Sequence, residues 1–275
     1  MKVTDIKELE EIARKVRIGI IEGTYNAKSG HPGGSLSVAD ILTVLFFNQM
    51  NIDEKNPTAR SRDRLVLSKG HVAPALYSVM AEKGYFDREE LKNLRHIDSM
   101  LQGHPDMRKT PGIDMSTGSL GQGISCANGM ALASKLDHEG VRVYCICGDG
   151  ELQEGQVWEA LMSASHYKLD NLCVVVDNNN LQIDGKVDEV MNIYPLDDKF
   201  KSFGFEVIKI DGHDMEKIIW AFEKAKTIKG KPTVIIAKTV KGKGVSYMED
   251  VVSWHGKAPN EEEYNKAMEE LKGEN

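Results

Sequence analysis

Between residues 5 and 23 apolar side chains recur at Ile6, Leu9, Ile12, Val16 and Ile20, a helical spacing with charged residues in between. ADILTVLFFNQM, 39–50, is apolar nearly all round, as a buried helix is. RLVLS, 64–68, predicts a short strand, and 72–83 and 120–136 predict helices. From residue 141 the pattern becomes regular. Apolar strands at 141–147, 172–177, 205–210 and 233–238 alternate with helices at about 154–167, 196–203 and 214–228. Such alternation predicts the α/β class, a parallel β-sheet sandwiched by helices. A charged helix over 259–275 is expected at the surface. The 275 residues allow one large domain or two small ones, and they contain no internal repeat, low-complexity segment or Pro/Ser-rich linker.

Ligands on a parallel sheet bind at the carboxyl ends of strands, so the chemistry is sought there. One strand ends in Gly148-Asp149-Gly150, and the next ends in Asn178-Asn179-Asn180. Consecutive parallel strands are often neighbours. Their ends would then bring the Asp149 carboxylate beside the Asn179 amide oxygen. Both are hard oxygen donors suited to Mg²⁺ or Ca²⁺, and Mg²⁺ completes its shell with phosphate oxygens and water. Gly150 leads toward a helix whose N-terminus can face an anion. A lone GDG is more often a turn, and a lone NNN a polar loop. The pair at successive strand ends points instead to a metal-bound diphosphate.

Charge and composition narrow the classes. The net charge of −7 offers no overall basic field for nucleic acid or an anionic membrane. No apolar run approaches the roughly 20 residues that span a bilayer, and the start MKVTDIKELEEIARK has no signal-peptide core, which predicts a cytoplasmic protein. The four cysteines, Cys126, Cys145, Cys147 and Cys173, lack metal-site spacing and read as buried reduced thiols.

The sequence resembles transketolase in a series of motifs: SGHPGG (29–34), LSKGHVAPALY (67–77), QGHPD (102–106), STGSLGQG (116–123), GDGELQEGQVWEA (148–160), DNNNLQIDG (177–185), KTVKGKG (238–244) and SWHGKAP (253–259). GDG followed by NN is shared with thiamine diphosphate enzymes generally; the series of Gly-His pairs is not. The resemblance implies the thiamine diphosphate-binding fold, with residues 1–275 as its single pyrophosphate-binding domain. It implies thiamine diphosphate and Mg²⁺ as cofactors, with Ca²⁺ or Mn²⁺ as substitutes. By position, Asp149, Asn179 and the Leu181 carbonyl match the metal ligands, and Gly150 a backbone contact to the diphosphate. Gly118, Ser119 and Leu120 match the loop at the aminopyrimidine. His71 and His255 match histidines near the diphosphate and the reacting centre, and Lys69 and Lys241 match lysines close to the phosphates. His31 and His104 match histidines on the donor sugar's hydroxyls, which makes His31, His104 and His255 the catalytic candidates. Glu154 matches an acidic residue at the subunit interface. Gly34 stands where family members carry a hydroxyl residue.

A histidine alone is more often structural, but His31, His71, His104 and His255 each adjoin a glycine. His96, His138 and His166 do not; these three, and His213 after Gly212, read as surface or packing residues. Lys243 reads as a loop charge, and Glu151 as a helix N-terminal carboxylate. The implied activity is transfer of a two-carbon ketol unit between phosphosugars, with histidine as the acid–base group.

A full transketolase continues into a pyrimidine-binding domain and a third domain, and the resemblance covers neither. Either the chain is the N-terminal subunit of a split enzyme or it is a fragment of a longer one. The first implies a C-terminal partner subunit, an inactive isolated chain and self-association into two copies of each subunit. Competing readings are a ketol transferase with another acceptor, a non-catalytic thiamine diphosphate-binding subunit, and a nucleotide-binding α/β protein. The last lacks a G-x-G-x-x-G after its strands.

Overall fold

A computed structural model of the chain describes residues 2–273. The order is α1 (Ile6–Ala27), α2 (Pro32–Val44), one π turn (Leu45–Gln49), β1 (Arg64–Leu67), α3 (Ala73–Lys83), α4 (Gln122–Leu136), β2 (Val143–Gly148), α5 (Gly155–His166) and β3 (Leu172–Asn178). A hairpin of β4 (Leu181–Gln182) and β5 (Gly185–Lys186) follows, then α6 (Val187–Val190), α7 (Leu196–Ser202), β6 (Glu206–Asp211), α8 (Met215–Thr227), β7 (Thr233–Lys238) and α9 (Glu261–Lys272).

Five strands form one sheet in the order β1-β2-β3-β7-β6, and every pair in it is parallel. Side chains alternate across it. Tyr144, Ile146, Cys173 and Val175 pack into one core with α1, α2, α3 and α8. Val143, Cys145, Cys147, Val174 and Val176 pack into a second core with α4, α5 and α7. Helices therefore cover both faces, and a strand buried on both sides reads as a continuous apolar run. β2 and β3 are neighbours as expected, with Gly148 opposite Asp177. All four cysteines are free; Cys145, Cys147 and Cys173 are buried and Cys126 is half-buried.

Four features differ from expectation. The helix expected at 39–50 begins at Pro32 and turns into the π turn after Val44. Pro32 suits the first helical position because its missing N–H has no partner to lose there. Gly33 reads as a breaker in sequence but is needed for contact: a Cβ there would lie 2.8 Å from the Trp254 carbonyl oxygen. The tail helix ends at Lys272, and residues 274 and 275 lie outside the described residues. Nor is that helix only a surface feature. Ala267, Met268 and Leu271 enter the core beside α1, Tyr264 stacks on Tyr25 at 4.2 Å, and Arg14 donates to the Leu271 carbonyl. Finally, the β4–β5 hairpin and a 3₁₀ turn at Arg88–Asn93 carry too few apolar positions for periodicity to reveal.

Candidate active site

A cleft of about 470 Å³ opens at the carboxyl ends of β1, β2 and β3. Its lining includes His31, Lys69, His71, Gly118, Leu120 and Asp149, together with Gly150, Glu154, Asn179, Leu181, Lys241 and His255. These residues come from loops far apart in the chain. The parallel sheet gathers them because its strands all end on one side.

The GDG turn places Asp149 at the start of a 3₁₀ turn, 2% exposed. One carboxylate oxygen accepts from Gly150 N–H at 2.8 Å, and the other accepts from Asn180 N–H. The strand-end loops thus meet at Asp149. Burial, with Asp177 nearby, pushes its carboxyl up to about 6. The Asn179 amide nitrogen donates to Asp177 and to Ser37 Oγ, while its oxygen accepts from Leu181 N–H at 3.0 Å. The amide is therefore oriented by its NH₂ group, and its oxygen keeps a free lone pair. The Leu181 carbonyl accepts from Lys241 Nζ at 2.9 Å.

Two lysines in the cleft differ in their partners. Lys69 is buried against Asp177, a fully buried carboxylate that also accepts from Ser37 Oγ and Thr239 Oγ1. Burial alone would raise the Asp177 carboxyl, but Lys69 and the two hydroxyls hold it below its ordinary range. Lys241 is 2% exposed and contacts a carbonyl and His255 Nδ1, at 2.8 Å, rather than a carboxylate. Burial and the neighbouring Lys69 push it down to about 8. Lys243 pairs with Glu249 and stays away from the cleft.

His31, His71 and His255 form a triangle of rings, with centroids 5.1, 5.2 and 5.4 Å apart. Burial is the first cause of their depressed basicity, and the lysines and the other rings add to it. His31 falls to about 4, His255 to about 3, and His71 well below its ordinary value. At neutral pH all three are uncharged. Because His255 Nδ1 accepts from the Lys241 ammonium, its hydrogen sits on Nε2. His31 Nδ1 is buried without a hydrogen-bond partner among the described residues.

His104, Ser119 and Glu154 are exposed. His104 packs on Gly118, whose φ of +152° leaves no room for a side chain: a Cβ would lie 3.0 Å from the imidazole. Ser119 sits in the turn before α4 and is not part of the cleft lining, and Glu154 precedes α5 at the rim. Of the remaining histidines, His96, His138 and His166 are exposed, and His213 is half-buried in a hydrogen-bonded setting.

Reading the sequence missed two carboxylates. Glu151 is buried, accepting from Ser68 Oγ, Gly121 N–H at 2.8 Å and Gly148 N–H at 3.0 Å. It ties three loops together rather than simply facing a helix N-terminus, and its burial raises its carboxyl despite those bonds. Asp177 closes an apolar run, VVVD, and only that abrupt ending marks it in sequence.

Among the described residues no three His, Cys, Asp or Glu side chains group as a metal site. One carboxylate, one amide and one carbonyl could hold a hard cation only if further oxygens came from its ligand. A neighbouring hollow of about 790 Å³ shares Asn179 and Leu181 but has neither the histidines nor Asp149. The chemistry therefore favours the smaller cleft.

A parallel five-strand sheet between two helical layers, with a polar, glycine-lined cleft at its carboxyl edge, defines an anion- and cofactor-binding α/β protein. Residues 9–274 match the family model "Transketolase, thiamine diphosphate binding domain", and the chain belongs to that family. It is 47% identical to the 6-deoxy-6-sulfo-D-fructose transketolase subunit of Clostridium sp. (strain MSTE9), over 97% of each chain. It is 42% identical to an apulose-4-phosphate transketolase subunit of Phocaeicola vulgatus, over 97% of this chain and 94% of that one. With human transketolase the identity is 48% over 92% of this chain, which spans only 40% of the human protein. The crystal structure of Campylobacter jejuni transketolase superposes with a TM-score of 0.91 at 40% identity, covering 98% of this chain and 43% of that one. These neighbours have the thiamine diphosphate-binding fold that the resemblance implied. Among the described residues no helix is long and apolar enough to cross a membrane.

Proposed function

We propose that this chain is the pyrophosphate-binding subunit of a two-chain transketolase, its residues forming one domain, with the pyrimidine-binding domain on a separate partner. The observation that carries this reading is the composition of one cleft. A buried carboxylate (Asp149), an oriented amide (Asn179), a lysine without a carboxylate partner (Lys241) and three neutral imidazoles share it. That set suits a divalent cation bound to a diphosphate, with Asp149, the Asn179 oxygen and the Leu181 carbonyl as metal ligands. Mg²⁺ fits best, and Ca²⁺ or Mn²⁺ present the same hard-ion chemistry. Lys241 faces the phosphates, while Lys69 acts through Asp177, setting the charge of the cleft floor. Gly150 gives backbone access, and the Gly118–Leu120 loop holds the pyrimidine side.

Bound thiamine diphosphate would supply an electron sink for cleavage of the carbon–carbon bond beside a ketose carbonyl. The chain's own residues handle the sugar's protons. His31, with its unpartnered Nδ1, and the exposed His104 beside Gly118 bind hydroxyls of the donor. His255 donates from Nε2. A neutral imidazole offers one N–H donor and one acceptor nitrogen, so these rings can hydrogen-bond the hydroxyls without the cost of burying a charge. Glu154, exposed at the rim, meets a neighbouring subunit.

Two relatives of matching length are named as transketolase subunits acting on a sulfofructose and on apulose-4-phosphate. They support a split assembly and an unusual sugar as substrate; in our reading that assembly holds two copies of each chain. They also weigh against a non-catalytic role. Localisation in the cytoplasm accords with phosphosugar chemistry.

Calorimetry with thiamine diphosphate, with and without Mg²⁺, tests the site. Metal-dependent binding is expected, and Asp149→Asn should weaken it by about two orders of magnitude while circular dichroism stays unchanged. Equal binding by the variant, or binding indifferent to Mg²⁺, would remove Asp149 from the site.

A further inference from the structure

Outside the cleft lining, a buried charge cluster reaches the segment that carries Lys241. Arg17 on α1 and Asp40 on α2 are both buried. The two Nη groups of Arg17 donate to the two carboxylate oxygens of Asp40, at 2.9 and 2.5 Å. Its Nε donates to the Lys243 carbonyl at 3.0 Å. Asp40 Oδ2 also meets His213 Nδ1 at 2.7 Å, and His213 Nε2 accepts Val240 N–H at 2.8 Å. A ring nitrogen that accepts from an amide carries no hydrogen, so Nδ1 holds it and donates to Asp40. The bonds therefore end on both sides of Lys241, on the amide before it and on a carbonyl after it. Between these anchors Gly242 N–H donates to the Gly33 carbonyl at 2.9 Å.

A bare ion pair would not need the third member. Arg17 already occupies both oxygens of Asp40, and a buried pair contributes little net stability by itself. His213 extends that pair onto a loop backbone, as carboxylates orient imidazoles behind metal and catalytic sites.

We propose that Arg17, Asp40 and His213 position Lys241 for binding the diphosphate, with His213 the link between the charge pair and the loop. The proposal rests on the role given to Lys241 above.

A double-mutant cycle in the full chain tests it, read as the Kd for thiamine diphosphate with Mg²⁺. His213→Asn keeps a donor for Asp40 but is too short to accept from Val240, whereas His213→Gln restores that reach. His213→Asn should weaken binding roughly tenfold and His213→Gln by less than about threefold. Joined to Lys241→Met, His213→Asn should add no further loss, because the group it positions is gone. Hydrogen exchange at residues 240–243 of the ligand-free chain should quicken in His213→Asn and not in His213→Gln. Losses that multiply in the double variant, or equal behaviour of Asn and Gln, overturn the proposal. If Lys241→Met alone leaves the Kd unchanged, the diphosphate role of Lys241 fails instead, and the exchange data still judge the anchor. Should His213→Asn not fold, Asp40→Asn carries the same cycle, because its NH₂ replaces one carboxylate oxygen and the remaining one cannot accept all three bonds from Arg17 and His213.

Discussion

Asp149 and Asp177 sit at the ends of neighbouring strands, both buried, yet their environments separate them. Asp177 has an ammonium and two hydroxyls around it, whereas Asp149 has two backbone amides. One is neutralised within the protein; the other keeps an anionic character that suits a cation. Removing the Asp177 charge should therefore damage the fold more than the chemistry. Asp177→Asn strands the buried Lys69 ammonium, and urea unfolding should show a loss of about 3–5 kcal/mol. The histidines make a second prediction at this scale. Unfolded imidazoles take up protons below pH 6.5, while His31 and His255 stay neutral in the fold until about 4 and about 3. The unfolded chain thus binds more protons in that window. Stability is complete above pH 6.5 and falls as pH drops toward 4. The urea midpoint should be lower at pH 5 than at pH 7, and the difference should shrink in a His31→Asn/His255→Asn variant. Asp149 and Asn179 stand out in sequence as the centres of GDG and NNN, which follow two successive apolar runs. Asp177, which ends the second run, does not stand out in the same way, since the end of a run says nothing of a Lys69 partner 108 residues away.

At the scale of elements, the strands and the longer helices follow from periodicity, because each buries a face or both faces. The misplaced start of α2 shows the limit of that reading. Helix propensity disfavours Gly33 and Gly34, but close approach of Trp254 and Lys241 requires a residue without a side chain at Gly33. The 239–244 loop is bound by the same kind of constraint. Gly242 has a φ of +82°, and a Cβ there would lie 2.3 Å from the Met248 carbonyl oxygen. Gly242→Ala should cost about 1–3 kcal/mol of stability and, by displacing Lys241, should also weaken thiamine diphosphate binding. Paired thermal melts and calorimetry would show both losses; loss of stability with unchanged affinity would dissociate the loop from the site.

For the whole molecule, the decisive fact is that every strand of the sheet ends on one side, so loops from distant parts of the chain share one cleft. That cleft is the proposed diphosphate half of a site, and the chain spans about two fifths of the single-chain transketolases it resembles. Ketol-transfer assays on the purified chain should give no turnover, and addition of the partner that carries the pyrimidine domain should restore it. Turnover by the chain alone would contradict the split assembly. What the sequence by itself determined is the set of parts: alternating apolar segments that must become a covered parallel sheet, and strand ends that carry an aspartate and an asparagine. Local periodicity suffices for this, because burial of a face is imposed residue by residue. Only the tertiary structure decided that the rings of His31, His71 and His255 have centroids within 5.4 Å of one another, that Lys69 is neutralised while Lys241 is not, and that Arg17, Asp40 and His213 reach the backbone on either side of Lys241. Those contacts join residues with no fixed spacing along the chain, and only the packing of loops above the sheet brings them together.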